Sequence, residues 1–190
     1  MMRIQKMMVV ENEHLYGPGK RVLVYLKGCS IRCDGCVNKH LWSFDGGKLT
    51  KPNEILDYCK DNDAVGITIH GGEPLDQAHE LKELVDLFKK NLLTIILFTG
   101  YLKKELNKEQ IYIWDASDLV IAGRFIIKKR NLNLQFRGST NQRVYRHKGP
   151  YSNYKLKDGY TTAIITIDEN GTMDVNGFLT EDVEKLINNK

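Results

Sequence analysis

No apolar run in this chain approaches the roughly 18 residues that a membrane-spanning helix needs, and Met1 to Asn12 lacks the apolar stretch of a secretory signal. Prolines and cysteines number only four each in 190 residues, and there is no internal repeat, low-complexity tract or Pro/Ser-rich linker. These absences exclude a membrane span, a collagen-like chain and a disulfide mini-protein, and they predict a cytoplasmic chain with a single core. With 42% apolar and 27% charged residues, the composition also excludes disorder. One further absence is local. Between Arg124 and Lys157 there are ten Lys/Arg and no acid, which leaves 18 of the 28 basic residues to face all 24 acidic ones. Such asymmetry predicts either a solvated face or a surface that meets an anionic partner.

The apolar runs are ordered as strands alternating with helices. Arg21 to Leu26 reads as a strand ending at Gly28, and Pro52 opens a helix with Ile55, Leu56 and Cys59 on one face. Ala64 to His70 reads as a second strand, stopped by Gly71-Gly72. Leu81, Leu84, Val85 and Phe88 mark an amphipathic helix, and Leu92 to Phe98 a third strand bounded by Thr99-Gly100. A short helix over Leu102 to Leu106 leads to a fourth strand over Asp118 to Ile121. Near-continuous apolar strands of this kind predict an α/β protein with a parallel sheet covered on both faces, its functional loops at the strands' C-terminal ends. Thr162 to Ile167 and Thr172 to Val175 predict a hairpin turning on Asn170-Gly171, and Thr180 caps a last helix. Residues 1–160 are thus expected to form the core domain, with 161–190 an appended hairpin and helix.

Three of the four cysteines, Cys29, Cys33 and Cys36, form a C-x3-C-x2-C run directly after the first predicted strand. Clustered thiols in a cytoplasmic chain point to metal rather than a disulfide. Thiolates serve iron–sulfur clusters and structural zinc alike, and closed sites of either kind usually take four protein ligands. Cys59 falls on the apolar face of a predicted helix, so a four-iron cluster on the loop would keep one iron open to a chelating substrate. Zinc completed by His40 is the competing assignment.

Together with Gly71-Gly72-Glu73-Pro74 after the second predicted strand, the cysteine loop resembles the radical S-adenosylmethionine (SAM) superfamily. Many members carry an aromatic residue before the third cysteine. Gly35 stands there instead, as is common in the subgroup that activates anaerobic ribonucleotide reductase. Further likeness to that subgroup lies in Cys36-Val37-Asn38, Leu41-Trp42, Phe98-Thr99-Gly100-Tyr101, Gly123-Arg124-Phe125 and the run from Phe136 to Arg143, covering Arg21 to about Tyr145.

The resemblance implies an incomplete parallel (β/α) barrel, smaller than the roughly 250 residues of the complete fold. It implies a [4Fe-4S] cluster on Cys29, Cys33 and Cys36, and SAM held by Gly71, Gly72, Glu73, Pro74 and Thr99, with Gly35 and Asn38 close by. The implied reaction is reductive SAM cleavage that leaves a glycyl radical on the large catalytic subunit of the reductase, with a flavodoxin or ferredoxin as electron donor. Trp42 and Phe44 are expected over the cluster, and His70 could face SAM. Arg137, Asn141 and Arg143 either hold their own loop or dock the partner. Three other functions stay in view: a radical SAM enzyme for another peptide or small molecule, a non-catalytic electron-transfer module, and a nucleic-acid binder using Tyr145, Tyr151 and Tyr154 among the basic residues, the last disfavoured.

Overall fold

The computed structural model describes residues 1–159, 161–167, 169–171 and 173–177. Seven strands form one open sheet: β1 (Met2–Val10), β2 (Arg21–Leu26), β3 (Lys48–Thr50), β4 (Gly66–Gly71), β5 (Thr94–Thr99), β6 (Leu119–Ala122) and β7 (Arg143–Arg146), in the order β3-β1-β2-β4-β5-β6-β7. The pairs β2/β4, β4/β5 and β5/β6 are parallel, whereas β1, β3 and β7 pair antiparallel. The sheet is therefore mixed, and the expectation of an all-parallel sheet holds only for its four central strands. Those four are the strands whose apolar runs are almost continuous, as burial on both faces requires.

Alternation along them divides the core. Val22, Val24, Leu26, Ile67, Ile69, Ile95, Leu97, Val120 and Ala122 pack with α2 (Pro52–Asp61), α3 (Ala78–Lys90) and α4 (Lys108–Ala116). The three long helices thus lie on one face only. On the other face, Ile96, Leu119 and Ile121 meet Phe136, Tyr151, Tyr154 and Leu156 of the basic stretch, and Leu23 meets Tyr16 of the single-turn α1 (Glu13–Tyr16). Irregular chain, not helices, covers that side.

Two elements depart from the sequence reading. The helix expected at Leu102 to Leu106 is one 3-10 turn, Lys103–Glu105, and the crossover helix is α4 downstream. The first strand, β1, occupies a segment to which the sequence reading assigned no element. β8 (Ala163–Ile167) pairs antiparallel with β9 (Met173–Gly177), and the helix expected from Thr180 lies outside the described residues. Among the described residues no helix is long and apolar enough to cross a membrane.

At the N-terminal edge of the parallel strands Arg21 is fully buried. Its guanidinium donates to Thr68 Oγ1, Ile67 O, Thr94 Oγ1, Thr94 O and Tyr151 OH at 2.6–3.1 Å, so β2, β4, β5 and the basic stretch share one pin. The opposite edge, where β2, β4, β5 and β6 end at Leu26, Gly71, Thr99 and Ala122, carries the site.

Candidate cofactor site

The loop after β2 is fixed from both sides before any cofactor is considered. Gly28 N–H donates to Leu41 O at 2.8 Å and Cys29 N–H to Trp42 O at 3.1 Å, tying the loop to the chain that follows it. Gly72 N–H donates to Leu26 O and Glu73 N–H to Gly28 O, both at 2.8 Å, tying it to the end of β4. A Cβ on Gly72 would lie 1.9 Å from Gly28 O, so the missing side chain here lets backbone approach backbone. The sequence argument had given that room to a ligand. Gly35 has φ +73°, a conformation that favours glycine, and a Cβ there would sit 2.9 Å from the Ile127 side chain.

Cys29, Cys33 and Cys36 line one cavity of about 170 Å³, together with Asn38, Gly71, Gly72, Glu73 and Thr99. Pro74 and Gly35 are not among its walls: Pro74 is buried at the start of the 3-10 turn Pro74–Gln77, and Gly35 packs on Ile127 behind the thiols. Trp42 and Phe44 do not line it either, contrary to their expected place over the cluster; Phe44 lies against Gly28 and is largely exposed. Cys59 is fully buried in the helix-side core, its thiol directed at Ala64 O and Gly66 O. Three thiols, not four, are therefore available to one group. Burial pushes the Cys29 and Cys33 thiols up, partly offset by backbone N–H donors, so they stay protonated until a cation displaces the protons. His40, which would have to complete a zinc site, lines a different cavity from the three thiols. A cubane, which spreads its ligands farther apart than one ion does, suits three thiols around a cavity.

Glu73 is buried with both carboxylate oxygens engaged. Oε1 accepts from Thr99 Oγ1 at 2.7 Å and Leu75 N at 2.9 Å, and Oε2 from Gly100 N at 2.7 Å. Burial raises its pKa to about 7 despite these donors. The Thr99 hydroxyl is thus spent on Glu73, and the pair clamps the end of β4 to the end of β5. Asn38 precedes the 3-10 turn Lys39–Leu41 without capping it by its side chain.

Sequence reasoning missed a second clamp. Asp76 accepts from Ser30 N at 2.6 Å and Ser30 Oγ at 2.8 Å, and Tyr101 OH meets both Ser30 Oγ and Asp76. The signal in the sequence was an acid two residues past Pro74, in a turn that the glycines had already marked. The run from Phe136 to Arg143 holds its own loop: Gln142 takes Gly138 N–H and donates to Gly123 O, Asn141 donates to Arg124 O, and Arg137 pairs with Asp158.

Residues 15–145 match the family described as a 4Fe-4S single cluster domain. This places the chain among iron–sulfur proteins, in agreement with three thiols around one cavity. The anaerobic ribonucleoside-triphosphate reductase-activating protein of Haemophilus influenzae is 33% identical over 141 residues, 70% of this chain and 91% of that one. Its namesakes in Escherichia coli K12 and phage T4 are 32% and 31% identical over 138 residues, covering 90% and 85% of their lengths. The chain belongs to the family of anaerobic ribonucleotide reductase-activating proteins, iron–sulfur enzymes of the radical SAM type. Among solved structures, QueE from Escherichia coli aligns over 52% of each chain with 24% identity and a TM-score of 0.43.

Proposed function

We propose that this chain is a glycyl-radical activase: it holds a four-iron cluster on Cys29, Cys33 and Cys36, binds SAM at the adjoining end of β4, and acts on the large subunit of an anaerobic ribonucleotide reductase. The observation that carries the reading is the meeting of three thiols and the Gly71-Gly72-Glu73 strand end in one cavity, with the fourth thiol in the core. When bound, the cluster and SAM would supply the chemistry, one-electron reductive cleavage of a sulfonium C–S bond with an external flavodoxin or ferredoxin as donor, for taking a hydrogen atom from a glycine Cα.

The chain's own residues position and shield. Cys29, Cys33 and Cys36 offer three thiolates and leave one coordination position to the substrate. Glu73, already holding β4 to β5, keeps lone-pair capacity for an ammonium, whose charge would draw its pKa back down. Thr99, Gly71, Gly72 and Asn38 complete the wall, with Gly35 and Pro74 shaping it from behind. Ile31, Phe98, Ile121, Phe125 and Phe136 make the rest apolar and exclude water. On this reading the open sheet, with helices on one face and the site on the other side's strand ends, is an incomplete barrel of residues 1–160, and 161–190 form the appended unit.

The test is anaerobic reconstitution with iron and sulfide, reduction with SAM, and assay for 5′-deoxyadenosine and for a glycyl radical on the reductase. Cys29→Ala, Cys33→Ala and Cys36→Ala should each lose the cluster while Cys59→Ala keeps it. Loss of the cluster in Cys59→Ala, or no 5′-deoxyadenosine from the wild-type protein, would sink the reading.

A further inference from the structure

His70 ends the apolar part of β4, one residue before the glycine pair, on the sheet face away from the helices. It lies in a cross-sheet row of rings: Tyr25 on β2, its partner in register, at 5.3 Å between centroids, and Phe98 on β5 at 4.6 Å. Gly71 N–H donates to His70 Nδ1 at 2.7 Å. An imidazole nitrogen that accepts a hydrogen bond carries no proton, so the neutral ring bears its hydrogen on Nε2. Burial lowers the pKa to about 4, which keeps the ring neutral near physiological pH. No acceptor among the described residues meets Nε2–H. The residue is only partly buried and lines two cavities, so this donor is available to a group that enters them.

The ring's position indicates what. His70 is a shared wall of the thiol cavity and of a larger chamber of about 440 Å³, along with Phe98, Phe136, Val37 and Asn38. The larger chamber contains none of the three thiols. It presents Tyr16, Tyr25, Leu132 and Leu134 as its apolar and aromatic walls, with Lys6, His14, His40 and Arg137 also lining it, so that a polar backbone and apolar groups can both be met there. A neutral donor suits a neutral acceptor such as a peptide carbonyl, whereas a free carboxylate would be better met by a cation. An aromatic floor favours a flat, extended chain, and glycine, lacking a Cβ, can lie closest to it.

Resting on the activase reading, we propose that His70 Nε2–H fixes a backbone carbonyl of the partner's glycine-bearing segment, which lies extended in the larger chamber with the glycine Cα turned toward the smaller one. His70 is then a substrate-binding residue that sets which carbon faces the radical.

The test uses reconstituted holoenzyme and the intact reductase subunit, and reads glycyl radical formed per SAM cleaved, together with the dissociation constant for the reductase. His70→Phe keeps a ring in the row and removes the donor; the ratio should fall about ten-fold, the worth of one hydrogen bond, and binding should weaken several-fold. His70→Gln, whose amide N–H reaches a similar point, should recover most of both. An unchanged ratio in His70→Phe, or a lost ratio that His70→Gln does not restore, overturns the proposal. Placement is checked without turnover by a photoreactive phenylalanine analogue at Leu132, which should capture the reductase peptide that contains the target glycine. Capture of a different peptide, or of none, also overturns it. Failure of the activase reading itself looks different: wild-type protein that makes no 5′-deoxyadenosine.

Discussion

Glu73 and His70 line the same cavity, and burial drives their pKa values in opposite directions. For Glu73, raised from 4.5 to about 7, the folded chain keeps a proton that the unfolded chain has released. Stability is therefore lost as pH rises from about 4.5 to about 7. For His70, lowered from 6.5 to about 4, the unfolded chain takes a proton that the folded chain refuses, so stability is lost as pH falls through that window. The windows overlap and the slopes oppose. In metal-free protein, Glu73→Gln should gain stability relative to wild type as pH rises from about 4.5 to about 7, by at most about 3 kcal/mol. His70→Phe should lose stability relative to wild type as pH rises from about 4 to 6.5. Urea denaturation at stepped pH checks both, and parallel profiles for all three proteins would refute the assignment. At this scale the thiols and the glycine pair were legible because their chemistry is written in consecutive residues. Asp76 and Tyr101 were not, since each meets Ser30 across dozens of residues, and a Ser or Tyr hydroxyl carries no mark of its partner.

Among elements, the close contact between the end of β4 and the cysteine loop makes Gly72 the most exacting position. Gly72→Ala would press a methyl group onto the Gly28 carbonyl, where both sides are backbone and neither can rotate away. We expect a loss of about 1–3 kcal/mol, as for overpacking elsewhere, and reduced iron uptake because the loop is displaced. Gly46→Ala separates sterics from backbone strain: its φ is +78°, yet nothing lies within 4 Å of the added Cβ. That variant should melt somewhat earlier and load iron normally, and equal iron uptake by both variants would contradict the contact argument. The central strands β2, β4, β5 and β6 could be read ahead because burial on both faces enforces unbroken apolar runs. Strand β1 could not, because it is a half-buried antiparallel strand whose Lys6 and three methionines blur the alternation. Helix α4 hid for a related reason, burying only Ile113 and Trp114. Its legible feature was the start, where Asn107 and Gln110 cap each other's backbone N–H groups.

Over the whole molecule, the acid-free stretch is less bare than its sequence suggests. Arg124 pairs with Glu105, Arg137 with Asp158 and Lys157 with Glu13, and Arg146 Nε donates to Tyr154 O, so several of its ten charges serve the fold. Among the described residues Lys128 and Lys129 form no such pair, and they sit on the 3-10 turn Ile127–Lys129, whose Ile127 packs on Gly35 between the second and third thiols. Ile126, Ile127 and Val37 are likewise exposed. Reversing Lys128 and Lys129 to Glu should slow association with an acidic partner several-fold and flatten its salt dependence, since rim charges act mainly on encounter. Stopped-flow association across a salt series measures this, and an unchanged rate at low salt would mark a solvated face.

The open sheet has one more consequence. Among the described residues the sheet has two unpaired edges, and such edges invite other chains to add strands. Here β3 is only three residues long and begins at Lys48, while β7 is four residues long with exposed Arg143 and Arg146 at its ends. Short, charged borders give a stray strand little to pair with. A sheet can thus stay open at its borders without recruiting a strand from another chain.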